Sequence, residues 1–429
     1  VFAPLKYLCL IILDEEQEPS YKSEQNPRYH AREVARYRCY RAGALLLLGS
    51  ATPSVESMYR AKRGEYRLLE LSQRFNQRVL PQVTVVDMKD ELRRGNGGTI
   101  SAPLAEMLEE TIDRGEQAIL FLNRRGASRM VSCGECGEVP ECPRCSVKLT
   151  YHSANNRLMC HHCGFSQPLP PACPSCGGLL NFIGTGTQRV EEELRELFPW
   201  AEVLRMDTDT VSAAHPHEEL LERFRKERVP VLVGTQMVAK GLDFENVTLV
   251  GVVAPDLSLY VDDFRAGERT FSLLTQVVGR AGRGEKQGRA VIQTFTPNND
   301  VIRCAALQDY DGFYEREIEL RRLRGDPPFG QHVVITASGL EEGAVLRCCT
   351  RLRRCLERDL PRLPGPWQLL GPAPANPVRV NNRYRYRITL TGQPDKAFRS
   401  LLASLLRAAH RDKENKGVSV YADAEPYSG

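Results

Sequence analysis

Eight of the fourteen cysteines of this 429-residue chain lie in one short stretch, arranged as four Cys-x-x-Cys pairs. The pairs are Cys133 and Cys136, Cys142 and Cys145, Cys160 and Cys163, and Cys173 and Cys176. Two cysteines three residues apart on a tight turn present both thiolates to one ion, and two such pairs complete a tetrahedral zinc site. The spacing therefore predicts two zinc ions.

Which pairs share an ion is open, and we favour a nested arrangement. The inner pairs read Cys-x2-Cys-x14-Cys-x2-Cys, which is close to zinc-ribbon spacing. Cys142, Cys145, Cys160 and Cys163 would then hold one zinc, and Cys133, Cys136, Cys173 and Cys176 the other. Sequential pairing would close a loop of only five residues, and a crossed arrangement stays open. The alternative to zinc is a disulfide framework, but no signal peptide is visible and we expect a reducing compartment.

Two apolar runs near the start of the chain are each followed by polar residues that could serve a catalytic site. Residues 8–13 lead into Asp14-Glu15-Glu16-Gln17, and residues 44–48 lead into Gly49-Ser50-Ala51-Thr52-Pro53. Continuous apolar runs predict strands buried on both faces of a parallel sheet, whose ligands bind beyond the carboxyl ends of the strands. Asp14 is suited to hold a magnesium ion and Glu15 to polarise a water. Gly49, Ser50 and Thr52 are small enough to let a phosphate approach. The alternative interpretation of residues 14–17 is a solvated acidic loop without a catalytic role.

A longer αβ pattern follows. Apolar runs at 117–123, 203–206, 229–233 and 247–253 alternate with helical stretches, which predicts a doubly wound parallel lobe. The third run ends before a stretch that contains Lys240, Gly241 and Asp243. A helix over 273–278 then reaches a glycine-spaced motif that contains Gln276, Arg280 and Arg283. Two arginines on such a turn can reach a γ-phosphate across a lobe interface, although a basic helix C-terminus is the alternative explanation.

Two stretches interleave basic and aromatic residues. The first contains Tyr21, Lys22, Arg28, Tyr29 and His30, and it predicts base stacking and phosphate contacts, or else an ordinary amphipathic connection. The second contains Arg383, Arg385 and Arg387 on one face of a strand, within a C-terminal unit with a βαββαβ, ferredoxin-like pattern. This strip would bind phosphate or an acidic peptide, or it is an exposed strand edge kept soluble by charge.

Composition narrows the class of protein. The net charge is only +4, which is too small to argue for nucleic acid by itself. No apolar run approaches the length of a membrane span, so we expect no membrane partner.

Taken together, these motifs resemble one family, the bacterial replication-restart helicases of the PriA type (primosomal protein N′), within helicase superfamily 2. The resemblance covers essentially the whole chain, and the eight-cysteine insertion is its most restrictive feature. Seven motifs carry the resemblance. They are the acid box Asp14-Glu15-Glu16-Gln17, the Gly-Ser-Ala-Thr-Pro run from Gly49, Phe-Leu-Asn-Arg-Arg-Gly from Phe121, the eight cysteines, Gly-Thr-Gln-Met-x-Ala-Lys-Gly from Gly234, Gln-x-x-Gly-Arg-Ala-Gly-Arg from Gln276, and Pro-Pro-Phe from Pro327.

The resemblance implies a 3′→5′ DNA helicase that recognises stalled forks and helps reload the replicative helicase. It implies that Asp14 and Glu15 serve magnesium and water, that Arg280 and Arg283 are the motif VI arginines, and that residues 240–243 lie in motif V. Residues 21–30 match an aromatic-rich loop that couples DNA to ATP hydrolysis. Forked and single-stranded DNA, single-stranded DNA-binding protein and other primosome proteins are the implied partners, in the bacterial cytoplasm at the nucleoid.

The expected architecture follows from the same resemblance. We expect RecA-like helicase lobes, an inserted two-zinc module and a C-terminal α+β domain. The expected ranges are 1–72 for the end of lobe 1, 73–131 and 178–310 for lobe 2, 132–177 for the zinc insertion, and 311–429 for the C-terminal domain.

Two departures from the family pattern matter. Gln17 stands where the family box usually has His, and Gly-x4-Gly-Lys-Ser/Thr occurs nowhere in the sequence. We therefore expect a C-terminal portion of a helicase that cannot turn over ATP alone, with ATP and magnesium belonging to the full-length parent. The rival hypotheses are a non-catalytic, zinc-dependent scaffold that binds DNA and partners, and a different superfamily 2 translocase that acts on RNA.

Overall fold

A computed structural model of the chain describes twelve ranges of residues. They are 1–71, 80–122, 130–136, 138–144, 148–152, 156–160, 163–183, 186–206, 217–235, 244–261, 263–282 and 286–426. Within them, none of the helices combines the length and the apolar character that crossing a lipid bilayer requires.

The described ranges contain seventeen strands and twelve α-helices. The strands are β1 Leu10–Leu13, β2 Leu45–Leu48, β3 Gln82–Asp87, β4 Gln117–Leu122, β5 Met130–Cys133, β6 Thr150–His152, β7 Arg157–Met159, β8 Ser166–Pro168, β9 Leu180–Ile183, β10 Val203–Met206, β11 Val231–Gly234, β12 Val247–Val253, β13 Arg289–Thr294, β14 Gln331–Gly339, β15 Gln368–Val380, β16 Arg383–Gly392 and β17 Ser419–Ala424. The helices are α1 Ala31–Ala42, α2 Val55–Lys62, α3 Met88–Arg93, α4 Ala102–Asp113, α5 Thr187–Leu197, α6 His217–Lys226, α7 Asp256–Leu259, α8 Ala266–Val278, α9 Asp300–Leu307, α10 Tyr310–Arg324, α11 Glu342–Asp359 and α12 Lys396–Arg411.

The first two strands form a parallel pair that carries the acid box and the Gly-Ser-Ala-Thr run at its carboxyl ends. The prediction that both strands are buried on both faces is wrong for this structure. Leu10, Ile12, Leu45 and Leu47 lie on one face, and between 41% and 64% of each side chain is exposed. The physical reason is that α1 packs against this pair, while no element among the described residues covers the face that carries those four side chains.

The second lobe is a six-stranded parallel sheet in the order β10-β11-β4-β12-β13-β3. Its central strands β4 and β12 are buried along their whole length, which confirms the prediction from their continuous apolar runs. Apolar cores lie on both faces, one containing Phe121 and Phe271 and the other Leu104 and Leu120. A methyl group on Gly251 would lie 2.4 Å from the Leu120 side chain of β4 and 3.1 Å from the Leu104 side chain of α4, so glycine at this position lets α4 approach β12 closely.

Strand β3 lies at the edge of this sheet and pairs with β13. The first strand that the sequence predicts for this lobe begins at residue 117. The earlier strand reads Gln-Val-Thr-Val-Val-Asp, and its mixed polarity suits an edge position but hides it from a search for continuous apolar runs.

The cysteine-rich module leaves the lobe after β4 and returns before α5. Strands β5 and β9 pair at its base, and β6, β7 and β8 form a three-stranded sheet farther out. Val139 packs against Tyr260 and Phe295 of the lobe, and Arg93 donates to the Glu135 carbonyl at 3.2 Å. These contacts position the module on the lobe.

The C-terminal domain has the chain order β14-α11-β15-β16-α12-β17 and the antiparallel sheet order β15-β16-β14-β17. This is the ferredoxin-like arrangement that the sequence predicted. Helices α11 and α12 cover the face that carries Ile335 and Ile388. The alternative explanation of β16 as an exposed strand edge is wrong, because β16 lies between β15 and β14.

Candidate functional site

The four outer cysteines of the module lie together. Cys133, Cys136, Cys173 and Cys176 place all four Sγ atoms within 4.8 Å of one another, with separations of 3.4 Å between Cys133 and Cys176 and 3.6 Å between Cys136 and Cys173. A zinc ion with Zn–S bonds of about 2.3 Å requires tetrahedral sulfur separations of about 3.8 Å. The donor set and its spacing therefore fit one zinc ion.

The electrostatics of this cluster call for a cation. Burial raises the pKa of Cys133, but the backbone N–H groups of Cys136 and Glu135 lower that pKa to about 7. The N–H of Gly178 lowers the pKa of Cys176, but proton sharing with Cys133 and Cys136 raises it to about 12. One thiol thus ionises at the expense of another, so four thiolates can coexist here only when a positive ion neutralises them.

The inner cysteines form a second group. The Sγ atoms of Cys142, Cys160 and Cys163 lie within 4.8 Å of one another, and Cys145, the predicted fourth ligand, lies outside the described residues. Gly164, with φ +78°, closes the turn after Cys163. A methyl group on this glycine would meet the Pro372 carbonyl oxygen at 3.0 Å, so the inner group is in contact with the C-terminal domain.

The acid box meets the second lobe through a chain of side-chain amides. Gln17 Nε2 donates to Glu15 Oε2 at 2.7 Å, and Ser50 Oγ donates to Gln17 Oε1 at 2.5 Å. From the opposite lobe, Gln276 Nε2 donates to the same Glu15 oxygen at 3.4 Å. Gln17 thus joins Glu15 to Ser50 by hydrogen bonds that need no titratable proton, and α8 contacts Glu15 directly.

The remaining motif residues surround this chain of bonds. Asp14 is exposed and its Oδ1 would lie 3.6 Å from a methyl group on Gly49, so the two loops are in close contact. Thr52 Oγ1 lies 2.8 Å from Ser272 Oγ, a second bond between the lobes. Arg280 is half-buried just beyond the end of α8. The other predicted motif residues, Lys240, Gly241, Asp243 and Arg283, lie outside the described residues.

Glu16 is a buried residue of the acid box whose partners were not predicted from the sequence. It is buried and accepts hydrogen bonds from Arg32 NH1 at 2.6 Å, from the Ser54 backbone N–H at 2.6 Å and from Ser57 Oγ at 3.1 Å. This carboxylate therefore ties the acid box to α1 and α2. Its position beside Asp14 and Glu15 was visible in the sequence, but its partners are 16 to 41 residues away and were not.

A buried charge network holds the lobes together, and its members were also missed. Arg321 of α10 is 1% exposed and lies 2.7 Å from Glu268, 2.8 Å from Glu317 and 3.5 Å from Glu56. Arg265 lies 2.9 Å from Glu56. Burial alone would raise the pKa of Glu56, but the charges of Arg265 and Arg321 lower it by more. The net pKa lies below the ordinary value, so this carboxyl stays ionised. Burial raises the pKa of Glu268.

The predicted DNA-contacting loop is built differently from the expectation. Tyr21 donates to the Asp14 carbonyl at 2.8 Å, and Tyr29 stacks edge-on with Phe2. His30 Nδ1 accepts from the Arg32 N–H and begins α1, and its burial, with the cations around it, lowers its pKa to about 3. Lys22 is buried and bonded to Asp423, so it is not available to a phosphate in this conformation.

The arginine strip of β16 faces a groove of about 1110 Å³. Residues of the 21–30 loop, the second lobe, the cysteine-rich module and the C-terminal domain all line this groove. Arg385 and Arg387 line it on the face opposite the C-terminal core, while Arg383 is held by the Ser338 carbonyl at 3.0 Å. Among the described lining residues, seven are Lys or Arg and five are Asp or Glu. The cations are Lys22, Arg28, Arg144, Lys148, Arg324, Arg385 and Arg387. Tyr260, Phe264 and Tyr421 add aromatic surface.

Comparisons with known proteins agree with this geometry. Family models match residues 322–427 (Primosomal protein N C-terminal domain), 142–168 (PriA DNA helicase Cys-rich region domain) and 183–285 (Helicase conserved C-terminal domain). The chain is 46% identical over 428 residues to "Replication restart protein PriA" of Bacillus subtilis, covering 100% of this chain and 53% of that protein. It is 37% identical over 427 residues to the protein of the same name from Treponema pallidum, covering 99% and 63%.

A solved structure of the Saccharomyces cerevisiae protein Dbp5 is also similar, with 16% identity, a TM-score of 0.37 and coverage of 74% of this chain and 63% of that one. The parallel sheet, the helicase C-terminal match and the inserted cysteines define the class, a RecA-like helicase lobe with a cysteine-rich module. The chain belongs to the PriA family of replication restart proteins. It spans about half of the length of the Bacillus relative.

Proposed function

We propose that this chain supplies the second lobe, the zinc module and the DNA-handling surface of an ATP-dependent 3′→5′ DNA helicase for replication restart and primosome assembly at stalled forks. The observation that carries the proposal is the direct contact between Glu15 of the acid box and Gln276 of the opposite lobe. A helicase needs this communication, because ATP binds between its two lobes and both must respond. The names of the relatives support the same assignment.

The motif residues take defined roles in this proposal. Asp14 would hold the magnesium ion of the nucleotide, and Glu15 would orient and deprotonate the attacking water. Arg280 and Arg283 would stabilise the charge on the γ-phosphate, while Lys240, Gly241 and Asp243 would couple the nucleotide to DNA. Gln17 would hold Glu15 and Ser50 at a fixed distance, as it does in the structure.

The zinc module would hold two ions, one in each cysteine group. We assign Cys145 to the inner ion, because its pair partner Cys142 already belongs to that group. No step of ATP hydrolysis requires these ions. They would fix the shape of a module that contacts both the lobe and the C-terminal domain.

The basic groove would bind the DNA backbone. Its arginines come from units that are far apart in sequence, and aromatic rings lie beside them, which is the composition of single-strand binding surfaces. Forked and single-stranded DNA are the proposed ligands. Single-stranded DNA-binding protein, other primosome proteins and a location at the nucleoid of a bacterial cytoplasm remain part of the proposal on the family resemblance alone.

The double variant R385Q/R387Q should weaken the binding of an oligothymidylate roughly tenfold, that is, by about 1.4 kcal/mol. Each lost phosphate contact should also reduce the slope of log affinity against log salt by about 0.7. Fluorescence anisotropy at several salt concentrations measures both quantities.

The matched control is R399Q/R407Q, which removes the same charge from the exposed surface of α12 on the other side of the sheet. The control should retain the affinity and salt slope of the wild-type chain. An equal loss in both double variants would show that only net charge matters and would remove the groove from the proposal.

The second candidate is a non-catalytic, zinc-dependent scaffold that binds DNA and partners. One observation favours it, namely the absence of Gly-x4-Gly-Lys-Ser/Thr from the 429 residues. A chain without a phosphate-binding loop lacks the backbone cradle that holds the β- and γ-phosphates. We therefore expect no DNA-stimulated ATP hydrolysis above background from this chain by itself.

The experiment is a coupled ATPase assay of the purified chain with and without forked DNA, with E15Q as the background control. A rate that E15Q abolishes would show that the chain hydrolyses ATP unaided and would contradict the expectation. Binding of forked DNA in preference to duplex RNA would favour replication restart over an RNA translocase. Equal affinity for the two would count against the proposed substrate.

A further inference from the structure

The loop of residues 21–30 is closed on itself and held from outside. Lys22 and His30 form an isolated antiparallel bridge, and the Ser23 N–H donates to the Tyr29 carbonyl at 2.8 Å. The two ends of the loop are therefore joined to each other through the backbone next to Lys22.

The last strand of the C-terminal domain holds Lys22. Its Nζ donates to Asp423 Oδ1 at 2.8 Å, to the Ala424 carbonyl at 2.9 Å and to the Arg28 carbonyl at 3.1 Å. An ammonium group has three donors, so all of them are used. The Lys22 side chain is 6% exposed and that of Asp423 is 7% exposed.

Arg28 binds the other oxygen of the same carboxylate. Its NH1 lies 3.4 Å from Asp423 Oδ2, and its guanidinium lies 4.0 Å from the centre of the Tyr421 ring. Both residues line the groove, but the Arg28 side chain is 22% exposed whereas that of Lys22 is 6% exposed. A backbone phosphate in the groove would therefore compete with Asp423 for Arg28 before it could reach Lys22.

The loop is tied to the acid box at both ends. Tyr21 donates to the Asp14 carbonyl at 2.8 Å. At the other end, Arg32 donates to Glu16 at 2.6 Å, and both of these side chains are buried. A displacement of the loop would reach the backbone on either side of Glu15.

We propose that Asp423 is a positioning residue through which the C-terminal domain sets the conformation of the 21–30 loop and, by way of Tyr21 and Arg32, that of the acid box. Asp423 supplies the anion that the loop binds when no phosphate is present. The consequence for ATP coupling rests on the proposed function, whereas the mechanical link does not. A buried ion pair contributes little net stability compared with apolar packing, which fits a role in fixing one conformation.

The test is amide hydrogen exchange of the whole 429-residue chain, without DNA, for the wild type and D423A. The amides of residues 21–30 should exchange at least fivefold faster in D423A. The amides of Glu16 and Glu18, which donate to Gly49 and Glu15 and do not touch Asp423, should also exchange faster. D423N keeps an acceptor for Lys22 and should show an intermediate rate.

E357A is the matched control, since it removes one negative charge from the same domain at an exposed pair with Arg353. It should leave both sets of amides unchanged. Where D423A fails to fold, as judged by exchange in β12, the variant K22M breaks the same contact from the opposite side.

Unchanged exchange in the loop would overturn the proposal, and so would faster exchange confined to the loop, because that result describes a local structural contact only. In a second arm, an oligothymidylate should accelerate loop exchange in the wild type and have little further effect in D423A. A chain that binds no DNA would refute the proposed function, while the DNA-free exchange would still decide the role of Asp423.

Discussion

The variant C133S is expected to hold one zinc ion, and the wild-type chain is expected to hold two. Serine cannot supply the thiolate that completes the outer group, and an incomplete tetrahedral site binds zinc far more weakly. C142S should likewise retain one ion, and C133S/C142S none. Elemental analysis of zinc per chain, on protein purified without added metal, measures these numbers.

C9S is the control, because Cys9 is exposed and belongs to neither cysteine group. It should retain both zinc ions. One ion remaining in C133S/C142S would contradict the nested arrangement, because sequential pairing places Cys133 and Cys142 on the same ion. Two ions remaining in C133S would remove the outer group as a zinc site, and disulfides found by mass spectrometry in the wild type would contradict zinc itself. Limited proteolysis should show that C133S is cut within the module while the α/β lobe stays intact, because the lobe has its own apolar cores.

The variant R321M is expected to lower the free energy of unfolding by about 3–5 kcal/mol, since it leaves carboxylates buried without their cation. Methionine nearly fills the space of the removed side chain, so most of the loss should be electrostatic. Urea denaturation of both proteins at pH 8 measures the difference. R322M is the matched control, because the next arginine of the same helix is exposed, with its ion pair to Glu319 and its contact with the Phe329 ring both at the surface. It should change stability by less than about 1 kcal/mol.

The stability loss of R321M should also depend on pH, and the pKa values of Glu56 and Glu268 determine the direction. In the wild type, burial raises the pKa of Glu268 and Arg321 opposes that rise, whereas at Glu56 the charges of Arg265 and Arg321 outweigh burial and lower the pKa. Without the arginine, both pKa values in the folded state are higher than in the wild type, so folded R321M binds more protons than the folded wild type. The free energy of unfolding of R321M therefore falls relative to that of the wild type as pH increases. The defect of R321M should therefore shrink between pH 8 and pH 5, and a defect that is constant over this range would show that lost packing is the cause.

The sequence predicted the parts of this molecule whose chemistry is local. Cys-x-x-Cys pairs, apolar runs such as the one in β12 and the βαββαβ order of the C-terminal domain each depend on neighbouring residues, and each led to the observed element. The family resemblance rested on the same local motifs. Local patterns also gave the correct face of β16, because side chains alternate along any strand.

Contacts between distant segments could not be predicted in this way. Nothing near Lys22 in the sequence shows that Asp423 neutralises it, and nothing near Glu56 shows that Arg265 and Arg321 do. For that reason a buried lysine was assigned to DNA. The exposed face of β1 and β2 was missed for a related reason, since burial depends on what packs against a strand and not only on its composition.

The outer cysteines, which lie at the base of the module where β5 pairs with β9, have a consequence for how the lobe folds. Strand β4 lies in the middle of the sheet, yet the next strand to join it, β11, comes more than a hundred residues later in the chain. A zinc ion bound by the outer cysteines would join residues 133–136 to residues 173–176 early and so shorten that connection. Closing a loop costs about 0.6 kcal/mol less for each halving of its length. Zinc loading would thus modestly accelerate assembly of the central sheet, although no atom of the metal site belongs to that sheet.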